Sequence, residues 1–145
     1  MPESPDAIIG LLEAKRPGTR SAGRWLLLTW LAAWAAFSLP WTSVTTTAHW
    51  ERVRAPRVRA QSRVRLDHVL NVLFYVPAAP LASTLGWPVS IGVAGGAALS
   101  LTAESVQLFS ENRAPDGNDL IANVGGATAG AVILVLYRRH IRQNR

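Results

Sequence analysis

Acidic, amide and guanidinium side chains are concentrated in residues 104–126, which have the sequence ESVQLFSENRAPDGNDLIANVGG. A turn between two helices needs only one or two polar residues with a Gly or Pro, so this segment holds more polar groups than a connection requires. Carboxylates can hold a hard cation or act as general bases, and Arg matches the geometry of phosphate. The residue types predict either a binding site or an acid–base site.

Many of these polar residues fall at helical spacing with small residues. Three apolar runs each carry a stripe, at steps of three and four, that is polar at one end and small further in. The stripes are Asp67, Asn71, Tyr75, Ala78 and Ala82; Gly92, Gly96, Ser100, Glu104, Gln107 and Glu111; and Asp119, Asn123, Gly126 and Gly130. Glycines four residues apart let helix backbones approach, so both glycine pairs predict helix packing.

The elements that position these stripes are apolar runs near the length of about 20 residues that crosses a bilayer. The predicted spans are 25–44, 67–86, 88–109 and 118–137. The sequence therefore predicts an all-α fold, a helical membrane bundle of about four transmembrane helices with a basic loop between helices 1 and 2. The predicted domains are a polar cytoplasmic tail over 1–23, a transmembrane domain over 24–137 and a basic cytoplasmic tail over 138–145.

The formal net charge of +6 comes from Arg residues that flank the apolar runs. That placement is typical of anchoring at lipid headgroups, so we predict the lipid bilayer as partner and no nucleic acid. The chain has no cysteine, which excludes a disulfide framework, thiolate chemistry and a Cys-based metal site.

The loop over residues 45–65 contains six Arg, which cannot lie in hydrocarbon. A solvated loop that pairs with anionic headgroups and a specific phosphate-binding segment are both compatible with it. The predicted headgroup contacts are Arg52, Arg54, Arg57, Arg59, Arg63 and Arg65.

Consecutive membrane spans run in opposite directions, which brings the polar ends of three stripes to one membrane face. We predict a polar cluster there, in which Arg113 or Gln107 pairs with Glu104, or a network that only joins the helices. The cluster consists of Asp67, Asn71, Glu104, Gln107, Arg113, Asp116, Asp119 and Asn123.

Two segments of the chain resemble the VanZ-like family of small bacterial membrane proteins. DHVLNVLFYVP is similar to the family's D-x-x-x-N, aromatic run and Pro, and residues 104–126 are similar to its E-x-x-Q, Arg and D-x-x-D-x-x-x-N-x-x-G. The family often has a Gly two residues after that Pro, where this chain has Ala79. The resemblance implies an integral membrane protein linked to the cell envelope, in a family named for teicoplanin resistance, and gives no reaction.

Lys and Arg near the spans number eight on the two terminal flanks and seven on the first loop and Arg113. Because the first span usually dominates orientation, we predict both termini in the cytoplasm and a multi-pass protein of the cell membrane. The polar cluster then faces outward.

The first functional hypothesis is a non-enzymatic protein that binds an anionic lipid or a lipid-linked envelope component. An intramembrane enzyme is the second, in which Glu104, Asp116 and Asp119 hold a divalent cation or one acid works beside His68. We expect no cofactor under the first hypothesis, and no specific catalytic motif supports the second. A proton or ion conduit and an assembly factor are further alternatives, and the sequence leaves the oligomeric state open.

Overall fold

The computed structural model describes residues 17–41, 44–53 and 66–144, with only the backbone described at 17–19 and Asp67. These ranges form five α-helices: α1 (Pro17–Ser38), α2 (Leu66–Tyr75), α3 (Ala78–Thr84), α4 (Val89–Gln107) and α5 (Gly117–Gln143). A 3-10 turn, Trp50–Arg52, lies in the described part of the connection between α1 and α2. Those ranges contain no β-strand, only an isolated antiparallel bridge between Val44 and Ser110, so the all-α prediction is confirmed for them.

Two of the helices, α4 and α5, are long and apolar enough to cross a membrane. The predicted second span is divided at Val76 and Pro77 into α2 and α3, because proline lacks the N–H that would continue the helix. The first predicted span corresponds to α1, whose mean hydropathy is lowered by Arg24 and by three tryptophans. The described chain is thus all-helical with two candidate membrane spans.

The helix ends follow local sequence and differ from the predicted spans. α1 begins at Pro17, well before the predicted start, because proline is favoured in a first helical turn, and it ends ahead of Leu39 and Pro40. α5 runs on to Gln143 through residues predicted as a basic tail, and His140 and Arg142 in its last turn face the negative end of the helix dipole.

Small residues form the contacts between helices. A Cβ at Gly126 or Gly130 would collide with the backbone carbonyl of Val72 or Val76, so α2 and α5 run parallel with their backbones touching. Gly92 lies against the backbone of Ala79, which is fully buried. The family's glycine two residues after the Pro is Ala79 here, and Gly92 of α4 supplies the space that lets α3 and α4 approach closely.

α4 and α5 are antiparallel, and aromatic side chains fix α1 against α2. A Cβ at Gly96 would lie 2.9 Å from the Cβ of Ala127. Trp30 stacks on Phe74, with ring centroids 6.1 Å apart, and its Nε1 donates to the Phe74 carbonyl at 2.9 Å. Exposed Val132, Ile133 and Leu136 lie on the outer side of α5, as on a lipid-facing surface.

Candidate functional site

The ends of α1, α2, α4 and α5 meet at one end of the bundle, which we call the polar end. α1 and α4 finish there, whereas α2 and α5 begin there. Residues 44–53 cross the connection between α4 and α5: the Thr45 N–H donates to the Phe109 carbonyl at 2.7 Å and the His49 N–H to Leu108 at 2.8 Å. Residues 44–53 are therefore hydrogen-bonded to the connection between α4 and α5.

Arg52 continues this pairing with its side chain. Its Nη1 donates to the carbonyls of Glu111 at 2.7 Å and Ser110 at 3.3 Å. His49 Nδ1 lies 3.1 Å from Glu51 Oε1, and Thr45 Oγ1 lies 3.4 Å from His49 Nε2. A backbone hydrogen bond and His49 lower the pKa of Glu51, so this carboxylate is ionised at neutral pH.

Glu104 and Asp116 are joined across the α4–α5 connection. Glu104 Oε2 accepts the Asp116 N–H at 2.7 Å. Asp116 is the N-cap of α5, and its Oδ1 accepts from the Asn118 N–H at 2.9 Å and from Asn118 Nδ2 at 3.1 Å. A side-chain acceptor at this position satisfies N–H groups that the first helical turn leaves unpaired. The polar segment thus starts α5 and ties it to α4.

His68 of α2 faces Asp119 in the first turn of α5, with Nε2 3.5 Å from Oδ1. Both side chains are about a quarter to a third exposed. A carboxylate in the first turn is favoured by the positive end of the helix dipole. Glu104 lies within electrostatic range of both Asp119 and Asp116, near the junction of α4 and α5. We call Glu104, Asp116 and Asp119 the acidic cluster.

A buried polar layer lies one helical turn below the acidic cluster. Asn123 Nδ2 donates to Ser100 Oγ at 2.8 Å, and Trp34 Nε1 donates to the Tyr75 hydroxyl at 2.8 Å. Tyr75 and Ser100 are both buried, so the two hydrogen-bonded pairs lie within the interior of the bundle. Asn123 is only 5% exposed, and its Oδ1 has no hydrogen-bond partner among the described residues.

Arg113 and Gln107 do not form the hydrogen bonds expected with Glu104. Arg113 Nη1 donates to the carbonyls of Phe37 at 2.9 Å and Ser38 at 3.4 Å, at the end of α1, and its side chain is exposed although within electrostatic range of Glu104. Gln107 is the last residue of α4, and its carbonyl accepts the Ser110 N–H at 3.1 Å. The partner of the Glu104 carboxylate is the Asp116 backbone N–H rather than the predicted side chain of Arg113 or Gln107.

Of the remaining predicted site residues, the structure describes the side chain of Asn71 but not those of the others. Asn71 is half-buried on α2, between His68 and Tyr75. Asp67 belongs to α2, but its side chain lies outside the described structure, as do Arg54, Arg57, Arg59, Arg63 and Arg65. Among the side chains that are described, no three of His, Asp and Glu come together in a group that could hold a metal ion.

The sequence model of one protein family, VanZ/LLP1, matches residues 17–138, which include α1 to α4, the α4–α5 connection and most of α5. The chain belongs to the VanZ/LLP1 family. No curated protein and no solved structure gives a significant match. Membership of the VanZ/LLP1 family agrees with the resemblance based on residues 67–77 and 104–126, and it extends that resemblance over α1.

Two features of this VanZ/LLP1 chain were missed by sequence reasoning. The sequence marks Trp34 only as a member of an apolar span, because its hydrogen bond to Tyr75 depends on how α1 is rotated. The enzyme hypothesis places an acid beside His68 without saying which one, and the parallel packing of α2 and α5 through Val72 and Gly126 brings Asp119 to it. Gly126 and Asp119 are two turns apart on one face of α5, so a helix that packs at Gly126 also passes Asp119. The glycine stripe could therefore have predicted a partner for Asp119 on the neighbouring helix.

Proposed function

We propose that the chain is a multi-pass membrane protein that binds an anionic lipid or a lipid-linked cell-envelope component at its polar end. Family membership and the two apolar helices support an integral membrane protein. α1 and the α2–α3 pair are proposed as the remaining spans, α2–α3 with a break at its proline. The exposed apolar side chains then contact the acyl chains of the bilayer.

The observation that carries this proposal is the pairing of residues 44–53 with the α4–α5 connection. It holds Arg52 beside the connection that ends at Asp116, through Nη1 and the carbonyls of Glu111 and Ser110. A guanidinium has five N–H donors, so Arg52 retains donors for a headgroup phosphate. The other Arg residues of the loop belong to the same proposed contact surface.

The helix-joining alternative is less able to account for this end of the molecule. The close backbone contacts at Gly92, Gly126 and Gly130 already hold the helices together. Interhelical polar contacts in membranes contribute only about 0.6 kcal/mol each on average. The three carboxylates would repel a phosphate, so the proposed headgroup contact is made by Arg52 and the loop rather than by the acidic cluster.

Co-purifying lipid tests the proposal. Wild type, Arg52→Ala and Arg139→Ala are purified in mild detergent, and bound lipid is identified by mass spectrometry. Loss of a charge-assisted phosphate contact is expected to lower retained lipid about tenfold in Arg52→Ala. Arg139 is an exposed Arg near the end of α5, so its variant should keep the wild-type lipid. Equal retention in both variants would contradict the role of Arg52, and a wild type without specific lipid would contradict the proposed function.

Acid–base chemistry on a lipid-linked phosphate is a second candidate, favoured by the 3.5 Å approach of His68 to Asp119. In this reaction water attacks the terminal phosphorus of a lipid-linked diphosphate, its proton passes to the His68–Asp119 pair, and the P–O–P bond breaks to give inorganic phosphate and the lipid-linked monophosphate. Purified protein should then release phosphate from that lipid, and His68→Gln should abolish the release. An envelope role linked to teicoplanin-type resistance is part of the first proposal. Teicoplanin susceptibility of cells expressing wild type or Arg52→Ala tests it.

A further inference from the structure

We infer that the lipid reaches Arg52 laterally, from within the membrane leaflet at the polar end, because an exposed apolar surface beside Arg52 lies among the acyl chains. This surface, which we call the loop surface, consists of Trp41, Val44, Trp50 and Val53. The inference rests on the proposed function and specifies its ligand, since it requires a lipid with acyl chains rather than a soluble phosphate compound.

The first observation is the exposure of large apolar side chains in one short segment. The exposed fractions of Trp41, Val44, Trp50 and Val53 are 68%, 62%, 69% and 48%, respectively. A single exposed apolar residue is ordinary on a protein surface, but several in one short segment mark an interaction surface. Tryptophan is enriched where membrane proteins meet the headgroups, because its ring is apolar and its N–H is polar. The side chains of the loop surface are therefore of the types that contact lipid.

The second observation is that backbone donors of the same segment are hydrogen-bonded within the protein. The N–H groups of Thr45 and His49 donate to carbonyls of the α4–α5 connection, and those of Arg52 and Val53 donate to the carbonyls of His49 and Trp50. Unpaired backbone donors are what makes it costly to place a loop against hydrocarbon. These four donors are paired, so this part of the loop can rest against acyl chains at little cost.

The third observation is the depth at which the loop surface lies. α1 ends at Ser38, and Trp41 folds back on that end, because its Nε1 donates to the Ala35 carbonyl at 3.1 Å. Phe37, in the last turn of α1, is exposed as well. The loop surface therefore continues the side of α1 that faces acyl chains in the proposed topology. Residues 44–53 stay near that depth, since they are hydrogen-bonded to the α4–α5 connection.

Arg52 joins the loop surface to the headgroup contact. It lies between Trp50 and Val53 in the chain, and its Nη1 donates to the Ser110 carbonyl at 3.3 Å. Val44 forms its isolated β-bridge with the same Ser110, so apolar and guanidinium groups meet at one point of the connection. A long Arg side chain can hold its charge at the level of the phosphates while apolar neighbours contact acyl chains. The two parts match a phospholipid, in which the phosphate and the acyl chains are adjacent.

Depth measurements on single cysteines test the position of the loop surface. The chain has no cysteine, so Val44→Cys, Trp50→Cys and Val53→Cys each introduce one site for an environment-sensitive fluorophore. The variants are placed in nanodiscs of phosphatidylcholine and phosphatidylglycerol, which leave both membrane faces open to solution. Nitroxides at the top of the acyl chains should quench these probes more strongly than aqueous iodide does. Thr47→Cys, an exposed polar position of the same segment, is the matched control and should show the opposite order. Probes at all three apolar positions that behave as at Thr47 would overturn the inference.

Truncation of an apolar side chain tests whether the loop surface holds the lipid. Trp50→Ala should lower the lipid retained by detergent-purified protein about tenfold, because it removes the largest apolar contact beside Arg52, whereas Trp50→Phe should retain most of it. Trp87→Ala is the matched control, because Trp87 is an exposed Trp at the turn between α3 and α4, at the other end of the bundle. Equal retention by Trp50→Ala and Trp87→Ala would contradict the acyl-chain contact.

A competitor without acyl chains separates this inference from the proposed function. Soluble glycerophosphoglycerol carries the headgroup of phosphatidylglycerol, and it should displace that lipid from wild type only at about a hundredfold or greater excess. Displacement at equal concentrations, with binding still lost in Arg52→Ala, would overturn access from the leaflet and leave the headgroup contact intact. If wild type bound no anionic lipid at all, the proposed function and the inference would both fail.

Discussion

Ser100 and Asn123 are the polar side chains on which the interior of the polar end depends. Ser100 is fully buried, and its hydroxyl connects α4 to Asn123 of α5. Trp34 brings α1 into the same layer through the Tyr75 hydroxyl. Each helix is thereby fixed in rotation, since turning any of them would leave a buried polar group without its partner.

Removal of the Ser100 hydroxyl should destabilise the fold. Ser100→Ala leaves Asn123 Nδ2 buried without its acceptor, which costs about 1–3 kcal/mol. Thermal unfolding in detergent, followed by circular dichroism, measures the effect. Ser105→Ala is the matched control, because Ser105 is exposed on the same helix and donates to its own Leu101 carbonyl. Similar unfolding of the two variants would show that the buried layer contributes no more than a surface hydroxyl.

At the scale of helices, glycine sets the distance between α2 and α5. Gly126 and Gly130 face the carbonyls of Val72 and Val76, whereas the adjacent Gly125 faces open space. The same helix therefore carries glycines that a side chain would displace and one that it would not. Replacing each of the three glycines by alanine removes the same backbone flexibility, but only Gly126 and Gly130 would place a Cβ against a neighbouring helix. Comparing the three positions therefore isolates the effect of packing.

Alanine at the facing glycines should weaken the bundle, and alanine at Gly125 should not. Gly126→Ala and Gly130→Ala place a Cβ against backbone, which must shift, so each is expected to cost about 1–3 kcal/mol. Gly125→Ala should be neutral or stabilising by up to about 1 kcal/mol, because alanine is the better helix former. Thermal unfolding of the three purified variants gives the comparison, and a loss of stability at all three positions would refute the packing argument.

These glycine faces and the gathering of polar ends were predictable from the sequence, because both depend on spacing within one helix and on the alternation of direction. The partners of Glu104, Arg113 and Trp34 were not. Each depends on the rotation of one helix against another, which no single periodicity specifies. The α2–α3 break was visible as Pro77 and Pro80, yet proline within a membrane span is also compatible with a continuous kinked helix.

On the scale of the whole molecule, the helix directions place the α1–α2 and α4–α5 connections at one end of the bundle and the α3–α4 turn at the other. The first loop contacts the α4–α5 connection, through Thr45 and Phe109 among others, so both lie at the polar end. The turn between α3 and α4, made by Gly86 with a φ of 85°, lies at the other end with the last turn of α5. This arrangement becomes a four-span topology if α1 and the α2–α3 pair also cross the bilayer.

Labelling of single cysteines tests that topology. The chain has no cysteine, so Thr47→Cys, Trp87→Cys, Asn112→Cys and Asn144→Cys each introduce one thiol at an exposed position. With cytoplasmic termini, a membrane-impermeant maleimide should label the Thr47 and Asn112 variants in intact cells. The Trp87 and Asn144 variants should react only after permeabilisation, which also serves as the control that every thiol is accessible.

Each departure from this labelling pattern has a structural meaning. Complete inversion would preserve four spans and reverse the orientation, so that the polar end would meet cytoplasmic rather than external headgroups. Labelling of Trp87 together with Thr47 in intact cells would mean that α2 and α3 do not cross, as a helix pair lying in the interface would behave. Labelling of Thr47 and Asn112 from opposite sides would contradict the hydrogen bonds between the first loop and the α4–α5 connection, and with them the polar end as a single site.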